Sequence, residues 1–250
     1  MSGHNKWSSI KHKKGAADAK RGKVFSKIAK EIMVTVRASG SDPNSNITLR
    51  ALIEKGRAAN MPSDNIERAI KRGAGELEGE VLEEVTFEGY GQGGVGLVVQ
   101  TLTNNRNRSA AEIRHIFTRH GASFAGQGSV LRSFQRKGDI MVDASKVEED
   151  KLMELVLEAG AEDMTKEGDE FEVITDPSQF MNVVDALKKA NIPMTQSEIS
   201  LLPDTMIPIS DKSKAEAMIR FIEELEDLDD VQNVYSNFDV DPSIAEQLSK

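Results

Sequence analysis

Apolar residues divide the chain into a helical N-terminal part and a longer part in which strands and helices alternate. From about residue 16 to Gly40 they recur every three or four positions, which is the spacing of a helix with one core-facing side. Two shorter stretches repeat this spacing. One ends near Asn60, and the other opens at a capping box, Asp64-x-x-Glu67, and closes at Gly73. We therefore expect three helices in one small domain.

Beyond residue 76 the spacing becomes that of strands. A nearly continuous run of β-branched residues and Leu over residues 95–103 is typical of a central strand, and a hairpin through residues 89–94 joins it to the strand before it. Residues 104–108 are predicted to form a polar loop, and Ser109-x-x-Glu112 to cap the helix that follows. Another strand is predicted over residues 129–134.

Residues 136–205 have a pattern of their own, because their elements alternate in the order β, α, β, β, α, β of a split βαβ, or ferredoxin-like, unit. The helix and the strand after Pro208 have no partners there, and we expect them to return to the earlier strands. The predicted fold class is α+β with three domains. Their boundaries are residues 1–78 for a basic arm and helical domain, 79–135 plus 206–240 for a discontinuous α+β middle domain, and 136–205 for an inserted α+β domain.

The charge is distributed unevenly along the chain, although the net value is only -9. Residues 1–75 carry a net charge of +10 and residues 76–250 a net charge of -19. The first 37 residues alone hold ten Lys or Arg side chains against two acidic ones. Clusters of this kind bind nucleic acid because the neutralised phosphates release their counterions. The N-terminal end is therefore the expected contact surface for a polyanion.

The basic arm over residues 2–15 has no packed core of its own, and a solvated tail is the alternative interpretation. Trp7 favours binding, because the chain's only Trp lies among lysines and offers a stacking face. We predict that Trp7 stacks and that the following residues contact nucleic acid with it: Lys6, Lys11, His12, Lys13, Lys14, Lys20, Arg21, Lys23, Lys27 and Lys30. Arg106 and Arg108, on the predicted loop of the middle domain, are second-rank candidates.

Other classes of function find little support in the sequence. The Gly-x-Gly-x-x-Gly spacing over residues 89–94 is followed by a strand and not by a helix, so we interpret it as a hairpin and not as a nucleotide loop. The acidic run over residues 223–230 lacks the spacing of a calcium loop, and we predict a solvated face. No catalytic motif is present. We predict no enzyme activity, cofactor, metal site or small-molecule substrate; an enzyme with an acidic cleft between the α+β domains is a third possibility.

Composition also bears on the compartment. There is no cysteine, which excludes disulfides and suits a reducing environment. No apolar run is long enough to span a bilayer, and the basic N-terminus is not followed by the apolar stretch of a secretory signal. A cytoplasmic protein with no membrane partner is expected. The sequence does not predict an oligomeric state.

Several motifs resemble those of the YebC/PmpR family. The opening Gly3-His4-x-Lys6-Trp7-x-x-Ile10-Lys11-His12-Lys13-Lys14 is similar to the family's signature, and further similar motifs follow in family order: residues 59–70, Gly89-Tyr90-Gly91, residues 102–108 and Gly128-Ser129-Val130. The resemblance implies a helical N-terminal domain followed by two α+β domains. It also implies either of two functions, since members are described as DNA-binding transcriptional regulators, whereas mitochondrial and some bacterial relatives act in translation at the ribosome.

Two hypotheses follow from the charge and the resemblance together. The first is a non-enzymatic nucleic-acid-binding regulator of gene expression, taken as a DNA-binding transcriptional regulator. The alternative is a ribosome-associated translation factor, or translational activator, that binds ribosomal RNA through the same basic arm. The short Lys-rich segments contain no known major-groove signature, which fits a shaped RNA surface somewhat better than a promoter.

Overall fold

A computed structural model of the chain describes residues 18–241 and 244, with side-chain positions from residue 22 onward except for residue 167. Within this part, the chain forms two compact units. One contains residues up to 129 together with 216–234, and the other contains residues 130–215 together with the chain from residue 235 onward. The elements, in chain order, are α1 (Asp18–Ser39), α2 (Ile47–Ala58), α3 (Ser63–Gly73), β1 (Glu83–Tyr90), β2 (Gly96–Thr103), α4 (Arg106–Arg119), β3 (Ser123–Phe124), β4 (Phe134–Asp143), α5 (Glu149–Glu158), β5 (Ala161–Glu167), β6 (Glu170–Thr175), α6 (Phe180–Lys189), β7 (Met194–Pro203), β8 (Ile207–Ile209), α7 (Lys212–Glu226), β9 (Val231–Ser236) and β10 (Phe238–Val240).

Helices α1, α2 and α3 pack around the apolar stripe that the sequence predicts. Ile28, Ile32 and Leu49 are among the residues of its fully buried core. Helix α1 ends where expected, because Gly40 adopts a φ of 88° and its amide donates to the Val36 carbonyl at 2.8 Å. The predicted capping box of α3 is wrong. Its N-cap is Pro62, which has no side chain able to accept from the free amides.

The first unit also contains a four-stranded sheet in the order β3-β1-β2-β9. Strands β1 and β2 are antiparallel neighbours joined by the predicted hairpin. Strand β9, which follows α7, lies beside β2, so the C-terminal helix and strand return to the earlier strands. Helices α4 and α7 meet through the edge-to-face rings of Phe117 and Phe221, whose centroids are 5.0 Å apart.

Two details of this region differ from the sequence-based expectation. The predicted polar loop over residues 104–108 is wrong from Arg106 onward, because helix α4 begins there. Its N-cap is Asn105, whose side-chain oxygen accepts from the Arg108 amide at 3.1 Å, and not Ser109, which is buried inside the helix. The predicted strand over residues 129–134 is also wrong. Residues 131–133 form a short 3₁₀ turn that leads into β4.

The second unit contains an antiparallel sheet in the order β5-β6-β4-β7, in which β4 pairs with both β6 and β7. Helices α5 and α6 pack on one face of it around Ile140, Val173 and Leu187. The element order is the predicted βαββαβ, and the strand order is that of a ferredoxin-like sheet. A parallel pair, β8 with β10, completes this unit. The predicted α+β fold class is confirmed, whereas the three domain boundaries remain a prediction.

Candidate nucleic-acid interface

The predicted contact residues fall into three groups in the structure. Lys6, Trp7, Lys11, His12, Lys13 and Lys14 lie outside the described residues, and for Lys20 and Arg21 only the helical backbone is described. The second group is Lys23, Lys27 and Lys30 on α1, and the third is Arg106 and Arg108 on α4. The structure therefore tests the surroundings of five of the predicted cations.

The three lysines of α1 point at one short segment, residues 226–230, which we call the acidic turn. Lys23 Nζ lies 2.9 Å from the Asp227 carbonyl oxygen and 3.3 Å from its carboxylate. Lys27 Nζ donates to the Glu226 carbonyl at 2.9 Å. Lys30 Nζ donates to the Asp229 carbonyl at 2.9 Å and to Asp230 Oδ1 at 3.0 Å. Three lysines on one side of α1 thus donate hydrogen bonds to oxygen atoms of the acidic turn.

This contact follows from the geometry of both elements. Positions 23, 27 and 30 share one side of α1, opposite the side that carries Ile28 and Ile32 into the helical core. The acidic turn begins at Glu226, the last residue of α7, where carbonyl groups have no partner within the helix and the helix dipole is negative. The lysines therefore satisfy these carbonyls. The prediction that the acidic run is a solvated face is wrong for Asp230, which is buried, whereas Asp227 and Asp229 are exposed.

Asp230 is the most buried carboxylate of the turn, and it accepts hydrogen bonds at both oxygens. Oδ1 accepts from Lys30, while Oδ2 lies 2.6 Å from Arg108, 2.8 Å from Ser109 and 2.9 Å from Thr103. Its side chain is only 9% exposed. We call these five residues the Asp230 cluster. It connects α1, the end of β2, the first turn of α4 and the acidic turn.

The cluster keeps Asp230 ionised. Burial by itself would raise the pKa of this carboxyl group, but the hydrogen bonds from Arg108, Ser109, Lys30 and Thr103 favour the charged form and hold its pKa well below the ordinary value of 3.8. The same contacts leave Lys30 and Arg108 neutralised within the molecule. Both are therefore less available to phosphate groups than their charge alone suggests.

Helix α4 carries four arginines, and the structure gives them different surroundings. Arg108 belongs to the Asp230 cluster, and Arg119 forms an ion pair with Glu224 of α7 at 3.3 Å. Arg114 places its guanidinium carbon 5.2 Å from the centre of the Phe124 ring. Arg106, in the first turn, is exposed and forms no ion pair with any described residue. The prediction that Arg106 and Arg108 lie on a loop is therefore wrong, because both belong to a helix.

Other kinds of site have no support in the described part of the chain. The glycine-rich segment is the β1–β2 connection, in which Gly93 and Gly94 have φ values of 73° and 79°, so the dinucleotide interpretation fails on the structure as it does on the sequence. Among the described residues, no group of three or more His, Cys, Asp or Glu side chains could hold a metal ion. No helix in that same part is long and apolar enough to cross a membrane.

Comparison with known proteins identifies the family that has this architecture. A family model described as the TACO1/YebC protein N-terminal domain matches residues 5–76, and one described as the TACO1/YebC second and third domain matches residues 82–238. The chain belongs to the TACO1/YebC family. The resemblance seen in the sequence motifs is thereby confirmed, and it extends over nearly the whole chain.

Relatives in this family are similar along their full length. The "probable transcriptional regulatory protein GSU1074" of Geobacter sulfurreducens is 51% identical over 248 residues, which are 99% of this chain and 100% of that protein. A "probable transcriptional regulatory protein" of Syntrophus aciditrophicus is 52% identical over 250 residues and covers both chains completely. The crystal structure of the conserved hypothetical protein Aq1575 of Aquifex aeolicus superimposes with a TM-score of 0.81 at 45% identity, covering 90% of this chain and 92% of that one.

The sequence did not indicate the Asp230 cluster of this TACO1/YebC protein. Thr103 was predicted only as the end of a strand, Ser109 as a helix cap, and Asp230 as one acid of a solvated run. The partners of Asp230 lie 121–200 residues away along the chain, so no local pattern connects them. The i, i+4, i+7 spacing of Lys23, Lys27 and Lys30 was visible in the sequence. Such a spacing places side chains on one helix face but does not identify the residues that they contact.

Proposed function

We propose that the protein is a non-enzymatic nucleic-acid-binding regulator of gene expression, acting in the cytoplasm as a DNA-binding transcriptional regulator. The observation that carries this proposal is the charge split, a net +10 over residues 1–75 against -19 over residues 76–250. It confines attraction for a polyanion chiefly to the N-terminal end. The full-length relatives named as probable transcriptional regulatory proteins support the regulatory part.

The arm supplies the main contacts in this proposal. Lys6, Lys11, Lys13 and Lys14 bind phosphates, with Lys20 and Arg21 continuing the row and Trp7 stacking on a base. Lys23, Lys27 and Lys30 contribute only where the polyanion competes with the acidic turn, because that turn already accepts their hydrogen bonds. Phosphate binding therefore concentrates on the residues that precede Lys23.

A ribosome-associated translation factor is the second candidate, and the covered face of α1 favours it. A helix that reads DNA must present polar side chains to the major groove. On α1 the lysine side meets the acidic turn and the opposite side forms the helical core, which leaves little of the described helix for a groove. An arm that contacts the phosphates of a shaped RNA surface does not need such a helix.

The two candidates predict different partners at the same salt concentration. The full-length protein is tested for co-sedimentation with ribosomes and for footprinting on promoter DNA, each at 150 mM salt. Protection of a specific operator without ribosome binding supports the transcriptional function and excludes the second candidate. Co-sedimentation without any footprint supports the translation factor and excludes the first.

The role of the arm is tested by reversing Lys11, Lys13 and Lys14 to Glu. Loss of affinity and a shallower dependence of log K on log salt are expected, by about 0.7 to 0.9 for each phosphate contact removed. The matched control reverses three exposed lysines elsewhere, Lys146, Lys212 and Lys214. If the two variants bind alike, the arm is not the contact surface.

A further inference from the structure

Helix α4 is rich in arginine, although it lies in the acidic part of the chain. Residues 76–250 have a net charge of -19, yet the 14 residues of α4 carry four arginines and a single acid, Glu112. The sequence predicted Arg106 and Arg108 on a loop before the helix, so the four arginines were not expected on one element. A local charge of this sign, opposite to that of its surroundings, needs an explanation other than overall composition.

The structure sorts the polar side chains of α4 into two sides. Arg108, Glu112 and Arg119 share one side, where Arg108 pairs with Asp230 and Arg119 with Glu224. On this side the arginines therefore form ion pairs with acidic side chains of the same molecule. It connects α4 to α7 and the acidic turn, and its cations are neutralised.

The second side is exposed and contains no acid. Its members follow the i, i+4, i+7, i+11 spacing of one helix face, while Ile113, Ile116 and Phe117 face the core. We call it the outer face of α4; it consists of Asn107, Ala111, Arg114, His115 and Thr118. We include Arg106 with it, because Arg106 is exposed in the first turn, although it lies in line with Ile113 and Phe117 around the helix. Neither Arg106 nor His115 pairs with an acid in the part of the chain that the structure describes. The charge on this face is therefore available to a partner.

Arg114 is also held in place. Its guanidinium lies over the Phe124 ring, and Thr118 Oγ1 donates to the Arg114 carbonyl at 2.9 Å. An arginine supported on an aromatic ring loses less conformational entropy when it binds a phosphate. Arg106 and Arg114 are eight residues apart, which is about 12 Å along the axis, or the axial rise of three to four nucleotides in one strand.

We infer that the outer face of α4 is a second nucleic-acid contact surface, in addition to the N-terminal arm. The inference rests on the proposed function. Arg106 and Arg114 bind the phosphate backbone, and Asn107 and His115, each next to one of these arginines, donate to phosphate or sugar oxygens. The combination of arginine with Asn, His and Thr, and the absence of apolar anchors on this face, favour a nucleic acid over an acidic protein surface.

The test compares two double variants of the full-length protein that lose the same charge. Arg106→Gln/Arg114→Gln removes the two cations of the outer face, and Arg132→Gln/Arg136→Gln removes two exposed arginines outside α4. Fluorescence anisotropy with a labelled 20-nucleotide RNA and a 20-base-pair DNA is recorded from 50 to 200 mM salt. The first variant is expected to lose affinity on the order of tenfold, with a slope smaller by about 1.4 on single-stranded RNA or about 1.8 on duplex DNA. The RNA and DNA arms identify which nucleic acid the face binds.

The outcomes separate this inference from the proposed function. If the unmodified protein binds neither nucleic acid, the proposed function fails and the inference fails with it. If it binds and the two double variants lose affinity equally, the proposed function stands and the outer face is not a contact surface. If the Arg106→Gln/Arg114→Gln variant keeps its affinity for RNA and DNA but no longer captures a poly-glutamate peptide, the face binds acidic protein and the inference is overturned. Ala111→Lys adds a charge at the centre of the face and is expected to raise affinity severalfold; no change would also count against the inference.

Discussion

Asp139 shows how a single side chain can act against the stability of the fold that contains it. It lies on β4 directly opposite Glu198 of β7, and Glu172 of β6 is near it on the same face of the sheet. Asp139 is only 5% exposed, and its Oδ1 has no hydrogen-bond partner among the described residues. Burial, together with the charges of Glu172, Glu198 and Glu170, raises its pKa well above the ordinary value of 3.8.

Replacing Asp139 with Asn is therefore expected to stabilise the protein near neutral pH. A carboxyl group with a raised folded-state pKa contributes stability below its unfolded pKa, and that contribution is lost as the pH rises through the folded-state value. The amide avoids this loss and can donate to a neighbouring carboxylate. We expect the free energy of unfolding at pH 7.5 to rise by about 1 kcal/mol or more, and the difference to vanish near pH 3.5.

Urea unfolding of both proteins across this pH range measures the effect. Asp169→Asn removes the same charge from the exposed β5–β6 turn and is expected to change stability by less than about 0.5 kcal/mol at any pH. A destabilised Asp139→Asn protein at pH 7.5 would show that the ionised carboxylate has a favourable partner.

At the residue scale, the sequence predicts turn glycines better than buried charges. Gly40, Gly93 and Gly94 were recognisable because few other residues adopt their backbone conformations. Asp139 was not recognisable. Its strand begins at Phe134, but the first half of β4 contains Gln135, Arg136 and Lys137, so only residues 140–142 showed a strand's apolar pattern. Burial of a polar residue depends on packing that no local pattern encodes.

At the scale of elements, apolar periodicity predicted the cores, and polar residues obscured the ends. The three helices of the N-terminal part and the βαββαβ order of the second unit follow from spacing alone. The start of α4 was misplaced because its first turn, Arg106 to Arg108, has no apolar residue, while both Asn105 and Ser109 are types that cap helices. The Ser109 hydroxyl group does not cap the helix but lies within hydrogen-bonding distance of Asp230 and Thr103.

The Asp230 cluster is expected to determine how firmly α1, α4 and the acidic turn are joined. Asp230→Asn removes the charge that four donors share, and we expect the free energy of unfolding at pH 7 to fall by roughly 2–4 kcal/mol. Because the folded-state pKa is depressed, this contribution is present above pH 3.8 and is lost as the pH falls below it. The difference between the two proteins should therefore shrink in acid.

Asp229→Asn provides a control in the same turn. The Asp229 side chain is exposed, and only its backbone carbonyl accepts from Lys30, so its loss is expected to cost less than about 0.5 kcal/mol. Equal losses in the two variants would mean that the turn responds to net charge and not to the cluster.

At the scale of the whole molecule, net charge predicted one contact surface for a polyanion, whereas the structure divides that surface into two parts. The N-terminal excess was treated as one surface from Lys6 to Lys30. The structure divides it, because Lys23, Lys27 and Lys30 are used to join α1 to the end of α7. Only a fold that brings residues about 200 positions apart into contact produces this division, so the sequence could not show it.

This division predicts that two lysine triplets have separate roles. Changing Lys23, Lys27 and Lys30 to Gln is expected to lower the free energy of unfolding by about 1–3 kcal/mol, since it leaves carbonyls at the end of α7 without charged donors. Hydrogen exchange in the acidic turn should accelerate, and nucleic-acid affinity should stay within about threefold of the unmodified value. Changing Lys11, Lys13 and Lys14 to Gln removes the same charge and should have the opposite result, with affinity lost and stability kept.

Both variants are measured with the same labelled RNA and DNA, and by chemical denaturation at the same salt concentration. Since each loses three positive charges, the net charge falls equally, and a large difference in affinity reports where the nucleic acid makes contact. If the α1 triplet proves as necessary for binding as the arm triplet, the lysines must leave the acidic turn when nucleic acid binds. The turn would then act as an internal competitor, and Asp227→Asn, which weakens its hold on Lys23, should raise affinity.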